Sequence, residues 1–313
     1  MLFYLIVNGF LRPKGLTLTG VHGSHDKVQR MFENAASVEI VLAPSVEEFA
    51  ERYVRHERPV VVRGAVNDWP PTCKWTLEYL KSTYGERRVK IGVTKSGVPY
   101  KDYAERLKTG VEPEVTFAKA IDDIFTPTDA DLKCRIHQES LDSWGALHEE
   151  SPPIRYVLRK LLTKNIWMGS TGNSTGMHYD TEDNINVQVR GRKEVILFSS
   201  AQLHELYPRS VWDYMSNFSR VDIATPDLSR YPRFSRATPL RAVLEPGDFI
   251  FIPIYWWHQF NTLEASLNVN FWWQATAGQA LRRHGMRFWP RMARDGYLHR
   301  HILRAAGESL FAR

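Results

Sequence analysis

The chain has 313 residues, of which 43% are apolar, 24% charged and 12% aromatic, and these proportions exclude an intrinsically disordered protein. Its length is enough for one large domain with an appendage or for two closely joined domains. The net charge is +6, and the two cysteines, Cys73 and Cys134, lie far apart in no metal-binding pattern, which excludes a disulfide-rich scaffold and a zinc knuckle.

An apolar run, Leu2 to Val7, lies near the start of the chain, but it is too short to span a bilayer. No basic segment precedes it and no A-x-A-like cleavage site follows it before Gly20, so it does not resemble a signal peptide. Together with the two isolated cysteines, this pattern predicts a cytoplasmic protein with no membrane partner. Residues 1–37 have little pattern, and we treat them as a separate N-terminal segment.

The first predicted elements alternate between helices and strands. Residues 45–56 predict a helix, because Ser45 is a suitable N-cap and Glu48 follows three residues later. The three valines at 60–62 predict a short buried strand. A strand is predicted near residues 89–93, and further helices are predicted over residues 76–84, 117–124 and 152–162, the last entered through two prolines.

From Ile166 the pattern changes to short strands separated by Gly, Asn and Pro. Residues 184–190 and 193–198 predict a hairpin around Gly191-Arg192, with one face that is polar at one end and apolar at the other. After a mostly irregular stretch, the segments 245–260 and 267–274 predict two more strands. Many short strands after a run of helices predict a mainly β fold with flanking helices, built as an antiparallel barrel or sandwich.

The last segment, residues 276–313, returns to a helical pattern and carries the whole charge excess. From residue 277 onward, two acidic residues stand against eight arginines, at positions 282, 283, 287, 291, 294, 300, 304 and 313. Such a segment could attract nucleic acid or an acidic peptide, or it could be a solvated helical face. Its apolar side could form a homodimer interface or cover the mouth of the barrel.

An H-x-D triplet, His178 to Asp180, begins the strand-rich region. On a strand, residues two apart point to the same face, so both side chains can bind one ion while Tyr179 points away. A facial iron site needs two imidazoles and one carboxylate, and His258 follows another strand, FIFIPIYWW. The triplet alone is a weak indication in a chain with eleven histidines. A Gly/Ser/Thr-rich approach and a lysine downstream strengthen it.

Several stretches of the chain resemble JmjC hydroxylases, the cupin-like oxygenases that depend on Fe(II) and 2-oxoglutarate. The resemblance is carried by GMHYDTEDNINVQVRGRKEVILFSS, EPGDFIFIPIYWWHQF and LNVNFWW, and TPDLSRYPRFSRA and RPVVVRGAVNDWP extend it. The branch that these segments resemble includes the asparaginyl hydroxylase acting on hypoxia-inducible factor and the tRNA wybutosine hydroxylase. It implies a double-stranded β-helix (jelly-roll) barrel over residues 38–275, with N-terminal α/β elements and C-terminal helices.

The resemblance also implies roles for individual residues. Iron would be held by His178, Asp180 and His258. Lys193 would pair with the distal carboxylate of 2-oxoglutarate, because an ammonium group desolvated inside a barrel attracts a carboxylate strongly. Thr175, three residues before His178, would add a hydroxyl hydrogen bond to the same carboxylate.

Three further residues correspond to positions near the cosubstrate in these hydroxylases. Asn184 and Asn270 would bind 2-oxoglutarate or steer dioxygen, or they would form ordinary cross-strand hydrogen bonds. Many relatives direct a tyrosine at the 2-oxoglutarate carboxylate, and this chain has Arg135 there instead. Arg135 could replace that contact or could indicate a different pocket.

The implied reaction is hydroxylation of a C–H bond, in which O2 is consumed and 2-oxoglutarate becomes succinate and CO2. A protein or peptide side chain is the expected substrate, because similar hydroxylases accept an extended chain beside the barrel. A tRNA base or a small natural product is the alternative substrate, and a metal-binding cupin without turnover is the competing non-enzymatic interpretation. Nearby aromatic residues would line the substrate cleft or pack in the core: Tyr255, Trp256, Trp257, Trp272 and Trp273.

Overall fold

The computed structural model describes residues 30–95, 112–213, 215–276, 278, 279 and 293. The strands of this part are β1 (Ala36–Ser37), β2 (Glu39–Leu42), β3 (Val60–Arg63), β4 (Arg88–Lys90), β5 (Gly92–Lys95), β6 (Glu114–Thr116), β7 (Leu132–Ser140), β8 (Leu161–Gly169), β9 (His178–Tyr179), β10 (Asp183–Arg190), β11 (Lys193–Phe198), β12 (Leu240–Leu244), β13 (Phe249–Ile252), β14 (Trp257–Thr262) and β15 (Ser266–Trp273). The helices with both ends described are α1 (Val46–Phe49), which continues as a π-helical turn (Ala50–Val54), α2 (Pro70–Lys74), α3 (Leu77–Tyr84), α4 (Phe117–Phe125) and α5 (Ala146–Glu150). Residues 30–33, 278 and 279 are also helical. Short 3-10 helices occur at Leu141–Ser143, Ser200–Gln202 and Pro232–Arg236.

Two large sheets form the body of the protein. One has eight strands in the order β2-β3-β13-β10-β15-β8-β7-β5, and the other has five strands in the order β1-β12-β11-β14-β9. Pairing is antiparallel throughout the centre of both sheets, and the parallel pairs β1–β12 and β2–β3 lie at their edges. The prediction of a mainly β, jelly-roll fold with helices before the barrel is confirmed.

The predicted hairpin over residues 184–198 is wrong. β10 pairs with β13 and β15, whereas β11 pairs with β12 and β14, so the two strands lie in opposite sheets. Gly191 has a φ of +64°, and a Cβ at this position would lie 2.1 Å from the carbonyl oxygen of Ala265. The side-chain amide of Gln188 donates to the carbonyl oxygens of Arg190 (2.6 Å) and Gly191 (2.9 Å). The Gly191-Arg192 dipeptide is therefore a crossover between sheets, which only the absence of a side chain permits.

Side chains that alternate along the strands divide the apolar residues into three layers. Between the sheets lies a cluster that includes Val195, Leu197, Ile250, Ile252 and Phe260. The outer face of the eight-stranded sheet packs against α1, α3 and α4 through residues such as Ile185, Phe251, Phe49, Leu80 and Ile121. Residues 199–213 and 215–239 cover the outer face of the five-stranded sheet and bury Ile196, Phe198, Leu206, Phe234 and Trp257.

Three of the four predicted helices are present, and Ser45 caps the first by accepting a hydrogen bond from the Glu48 N–H (3.1 Å). The predicted helix over residues 152–162 is wrong, because these residues form turns that lead into β8. Ile154 and Tyr156 are buried, and the Tyr156 hydroxyl donates to the carbonyl oxygen of Pro44 (2.7 Å). These tertiary contacts outweigh the local helical preference.

The remaining predictions about the chain's ends fall mostly outside the described residues. These are the basic helical extension over residues 276–313, the homodimer interface that it could form, and most of the N-terminal segment 1–37. Within the described residues, every helix is too short or too polar to cross a membrane. The cytoplasmic location stays a prediction.

Candidate active site

The five-stranded sheet brings the three predicted metal ligands together. His178 in β9 lies opposite His258 in β14, and Asp180 directly follows β9. One ligand atom from each residue lies within 4.8 Å of the other two. Among the described residues, this is the one cluster of three or more His, Cys, Asp or Glu side chains with such an arrangement.

Backbone carbonyl groups orient both imidazoles. The Nδ1 atom of His178 lies 2.9 Å from the carbonyl oxygen of Gly176, and that of His258 lies 2.9 Å from the carbonyl oxygen of Trp256. Each Nδ1 therefore carries the proton, which leaves the Nε2 lone pair to bind a metal. These Nε2 atoms lie 3.9 Å (His178) and 3.6 Å (His258) from carboxylate oxygens of Asp180.

This set of donors fits one divalent ion. Oδ2 of Asp180 is buried and accepts no hydrogen bond from the described residues, an arrangement that costs free energy unless a cation is bound. Burial lowers the pKa of His258 to about 4, so its ring is neutral, as a metal ligand must be. Two imidazoles and one carboxylate form the facial triad of non-haem Fe(II) oxygenases, which leaves open positions on the metal.

A cavity between the two sheets contains three of the predicted cosubstrate residues, namely Lys193, Thr175 and Arg135. Lys193 begins β11, Arg135 belongs to β7, and Thr175 lies on the approach to β9. Apolar and neutral polar side chains complete the wall, and none of the lining residues is acidic. The cavity is therefore suited to an anionic ligand.

Lys193 is buried, with 7% of its surface exposed. Its Nζ donates a hydrogen bond to the neutral side-chain oxygen of Asn268 and lies 5.9 Å from the centre of the Phe260 ring. No carboxylate of the described residues pairs with it, and burial lowers the pKa of this amine to about 7. A carboxylate that entered the cavity would supply the missing negative charge.

Thr175 connects the approach segment to β14. Its hydroxyl oxygen accepts a hydrogen bond from the Phe260 N–H (3.0 Å), and its hydroxyl group donates to the carbonyl oxygen of Gly176 (3.2 Å). Since Gly176 also orients His178, one short segment links the cavity wall to the metal ligands. A hydroxyl oxygen has two lone pairs and a rotatable proton, so it can exchange the Gly176 contact for a ligand.

Asn184 and Asn270 do not line this cavity. They lie on adjacent strands, where the Asn270 amide donates to the side-chain oxygen of Asn184 (3.4 Å). The side-chain oxygen of Asn270 accepts a hydrogen bond from the indole N–H of Trp167 (2.8 Å), and Trp167 does line the cavity. The two asparagines thus form the cross-strand hydrogen bonds that the sequence analysis left open, and a role towards the cosubstrate stays a prediction.

Arg135 and His137 are two residues apart on β7, and both contribute to the cavity wall. Burial, with a smaller effect from the Arg135 charge, lowers the pKa of His137 to about 3, so its ring is neutral. That ring packs edge-on against Trp167, with 4.5 Å between centroids. Arg135 is therefore the second cationic group of the cavity, beside Lys193.

Sequence reasoning missed two neighbours of the site. Asn268 accepts the Lys193 hydrogen bond, and the alternation of Asn268 and Asn270 within an apolar strand could have indicated it. Phe218 stacks on the imidazole of His178, with 4.9 Å between centroids and 15° between planes. It lies in the irregular stretch between β11 and β12, where no periodic pattern predicts a contact.

Comparison with known proteins places this site in a family. The model of the family described as "Cupin-like domain" matches residues 46–279. Lysine-specific demethylase 8 of Xenopus tropicalis is 30% identical, over 74% of this chain and 51% of its own length. Lysine-specific demethylase JMJ30 of Arabidopsis thaliana is 31% identical, over 74% of this chain and 54% of its own length. The tRNA wybutosine-synthesizing protein 5 of Homo sapiens is 27% identical, over 74% of this chain and 75% of its own length.

The match to the family model covers β3 to β15 and both segments that contribute candidate metal ligands. The chain spans about half the length of the two demethylases that it matches. Iron, 2-oxoglutarate and O2 are the cofactor and cosubstrates of this family, and they suit the His-Asp-His cluster and the cavity whose wall includes Lys193 and Arg135 and no acidic residue. The chain therefore belongs to the cupin-like JmjC family of Fe(II)- and 2-oxoglutarate-dependent oxygenases.

Proposed function

We propose that this protein is a dioxygenase that hydroxylates a C–H bond of a protein or peptide side chain. Iron is held by His178, Asp180 and His258, and 2-oxoglutarate by Lys193 with Thr175, beside Arg135. One observation carries the proposal: three metal-ligand atoms converge near a cavity whose buried amine has no carboxylate partner among the described residues. Phe260 links the two, because it lines the cavity and its ring centre lies 6.0 Å from that of His258.

When bound, the metal and its cosubstrate supply the oxidation: one atom of O2 enters the C–H bond as a hydroxyl and the other enters succinate, with release of CO2. The chain's own residues bind and orient. The Lys193 ammonium pairs with the distal carboxylate and fixes the direction in which 2-oxoglutarate enters. The buried side chains of Met168 and Phe260 exclude water from the cavity, which strengthens the ion pair.

Two substrate classes have specific support. The names of two relatives refer to lysine, a protein side chain, which favours a protein or peptide. The relative named for tRNA wybutosine synthesis matches over three quarters of its own length, compared with about half for the demethylases. A tRNA base is therefore the second candidate substrate.

We also propose that the protein is cytoplasmic and forms a homodimer.

Anaerobic titration of the metal-free protein with Fe(II) and 2-oxoglutarate tests the cofactor assignment. We expect a visible metal-to-ligand charge-transfer absorption that His178→Ala abolishes and Lys193→Ala weakens. His148→Ala is the matched control, because this half-exposed histidine of α5 lies 3.6 Å from Asp142 and belongs neither to the metal cluster nor to the cavity wall. Succinate release on addition of peptides or tRNA then distinguishes the two substrates.

Two outcomes of the titration with Fe(II) and 2-oxoglutarate would contradict the cofactor assignment. If folded wild-type protein gives no absorption change, the oxygenase proposal is wrong and the chain is a binding or structural cupin. If the His148→Ala control loses the absorption as well, the signal does not report the His178 site.

A further inference from the structure

One turn of the main chain, residues 253–256, contacts two of the three candidate metal ligands. The Tyr255 N–H donates to the carbonyl oxygen of Asp180 (2.9 Å), and the Trp256 carbonyl oxygen lies 2.9 Å from Nδ1 of His258. Tyr255 has a φ of +63°, which is unfavourable for a residue with a side chain. Surrounding contacts must therefore hold this turn in place, and its position affects both ligands.

The carboxylate of Asp183 supplies such a contact. This residue begins β10, and its side chain is 0% exposed. Oδ1 accepts a hydrogen bond from the N–H of Ile254 in the turn (3.0 Å), and Oδ2 accepts one from the side-chain amide of Gln279 (3.1 Å). The guanidinium of Arg159 lies 3.7 Å from Oδ2. A buried carboxylate is costly without partners, and these three groups compensate that cost.

Gln279 joins this carboxylate to the beginning of the C-terminal segment. Its side-chain oxygen accepts hydrogen bonds from the Thr276 N–H (2.9 Å) and from Arg159 (3.1 Å), while the Thr276 hydroxyl accepts from the Gln279 N–H (3.1 Å). This reciprocal pattern is a capping box, and residues 278 and 279 are helical. Gln279 is 4% exposed, and its side chain contacts Asp183, Arg159 and Thr276.

We propose that Asp183 and Gln279 are positioning residues of the metal site, which fix the turn at 253–256 and through it His258 and Asp180. The beginning of the C-terminal segment is then part of the scaffold that sets metal affinity. This inference rests on the proposed function, which assigns His258 and Asp180 as metal ligands. Neither positioning residue touches the metal.

If Asp183 and Gln279 had only a structural role, the expected result would be different. Loss of a buried hydrogen bond would then lower the stability of the metal-free protein and leave metal affinity unchanged in the folded fraction. A positioning role lowers metal affinity, by about 10- to 100-fold when an outer partner of a ligand is removed. Metal affinity and metal-free stability must therefore be measured on the same variants.

The experiment titrates Co(II) into the metal-free chain of 313 residues and follows binding by calorimetry, with thermal melting of the same samples. Asp183→Asn places an amide against the Gln279 amide, so two donors face each other. Gln279→Glu places two carboxylates together. The double variant Asp183→Asn/Gln279→Glu restores one donor and one acceptor and keeps a carboxylate beside Arg159, and the capping box accepts glutamate.

We expect each single variant to bind Co(II) about 10-fold more weakly or worse, and the double variant to recover most of the affinity. Gln279→Ala tests the same contact without a new charge, should either single variant fail to fold. Gln202→Ala is the matched control, since Gln202 also accepts a main-chain hydrogen bond, from Thr238 (2.7 Å), on the far side of the five-stranded sheet.

Two results would overturn the inference. If the single variants melt at lower temperature but bind Co(II) like the wild type, Asp183 and Gln279 have a structural role alone. If wild-type protein does not bind Co(II), the proposed function fails and the inference fails with it. Weaker binding in the Gln202→Ala control would also count against it, because the effect would then not depend on the turn at 253–256.

Discussion

Affinity for 2-oxoglutarate is expected to fall as pH rises through neutrality, because Lys193 must carry a proton to pair with a carboxylate. Burial lowers the pKa of this amine to about 7, and its neighbours in the cavity, Arg135 and the neutral His137, provide no negative charge. Below that pKa the ammonium is present and binding is strongest. Above it, binding must take up a proton.

The magnitude follows from the proton balance. Each unit of pH above the pKa of Lys193 reduces the protonated fraction about tenfold, which weakens binding by about 1.4 kcal/mol. Between about pH 7, where half of the amine is protonated, and about pH 9, the dissociation constant should therefore rise roughly 50-fold. A lysine with an ordinary pKa of about 10.4 would show no change over this range.

Calorimetry on Mn(II)-loaded protein measures this effect without turnover. Titrations in buffers with different ionisation enthalpies should show uptake of about one proton per 2-oxoglutarate at alkaline pH. Lys193→Arg is the control, because a guanidinium keeps its charge and should remove the pH dependence. Constant affinity without proton uptake in the wild type would refute the reasoning, since Lys193 would then be charged in the free protein.

Three further predictions concern single side chains. Gly191→Ala should lower the free energy of unfolding, measured in urea, by about 2 kcal/mol or more, because the new Cβ would clash with Ala265 and φ is unfavourable. Gly145→Ala is the control: its φ is +54° but no atom lies within 4 Å of the new Cβ, so the free energy of unfolding should fall by only about 1 kcal/mol. Equal losses would contradict the crossover geometry. Arg135→Leu should weaken 2-oxoglutarate binding in calorimetry about tenfold or more and leave Co(II) affinity unchanged; unchanged 2-oxoglutarate binding would exclude Arg135 from the pocket. Phe218→Ala should weaken Co(II) binding about tenfold, because His178 loses the ring stacked on it, and an unchanged affinity would show that the stacking does not position this ligand.

The sequence predicted the parts of the site that depend on local spacing. His178 and Asp180 are two residues apart on extended chain, and family resemblance predicted that His258 joins them. The single strand predicted over residues 245–260 is wrong, because this segment forms β13, the turn at 253–256 and β14, and His258 lies in β14. Ser45 and its helix followed from the local capping pattern. Predicting these features requires only residues that are close in sequence, or the pairing of two strands that the family resemblance supplies.

Features that depend on distant contacts were missed. The hairpin prediction failed because a two-residue loop has the same sequence pattern whether it joins two strands of one sheet or crosses between two sheets. The contact between Gly191 and Ala265, which is distant in sequence, accompanies the crossover. The false helix over residues 152–162 failed because Tyr156 is held by Pro44, which is more than 100 residues away in sequence. Phe218 reaches His178 from an aperiodic segment.

The crossover at Gly191 also affects how the protein folds. Because β10 and β11 do not pair with each other, both strands that pair with β11 come from later in the chain, and β9 pairs with β14, about eighty residues further on, besides an isolated bridge between His178 and Phe218. Such non-local pairing implies a high contact order and slow folding. His178 and His258 meet only once β14 has formed, so the metal cluster is a late product of folding. Metal binding can therefore serve as a kinetic marker for closure of the barrel.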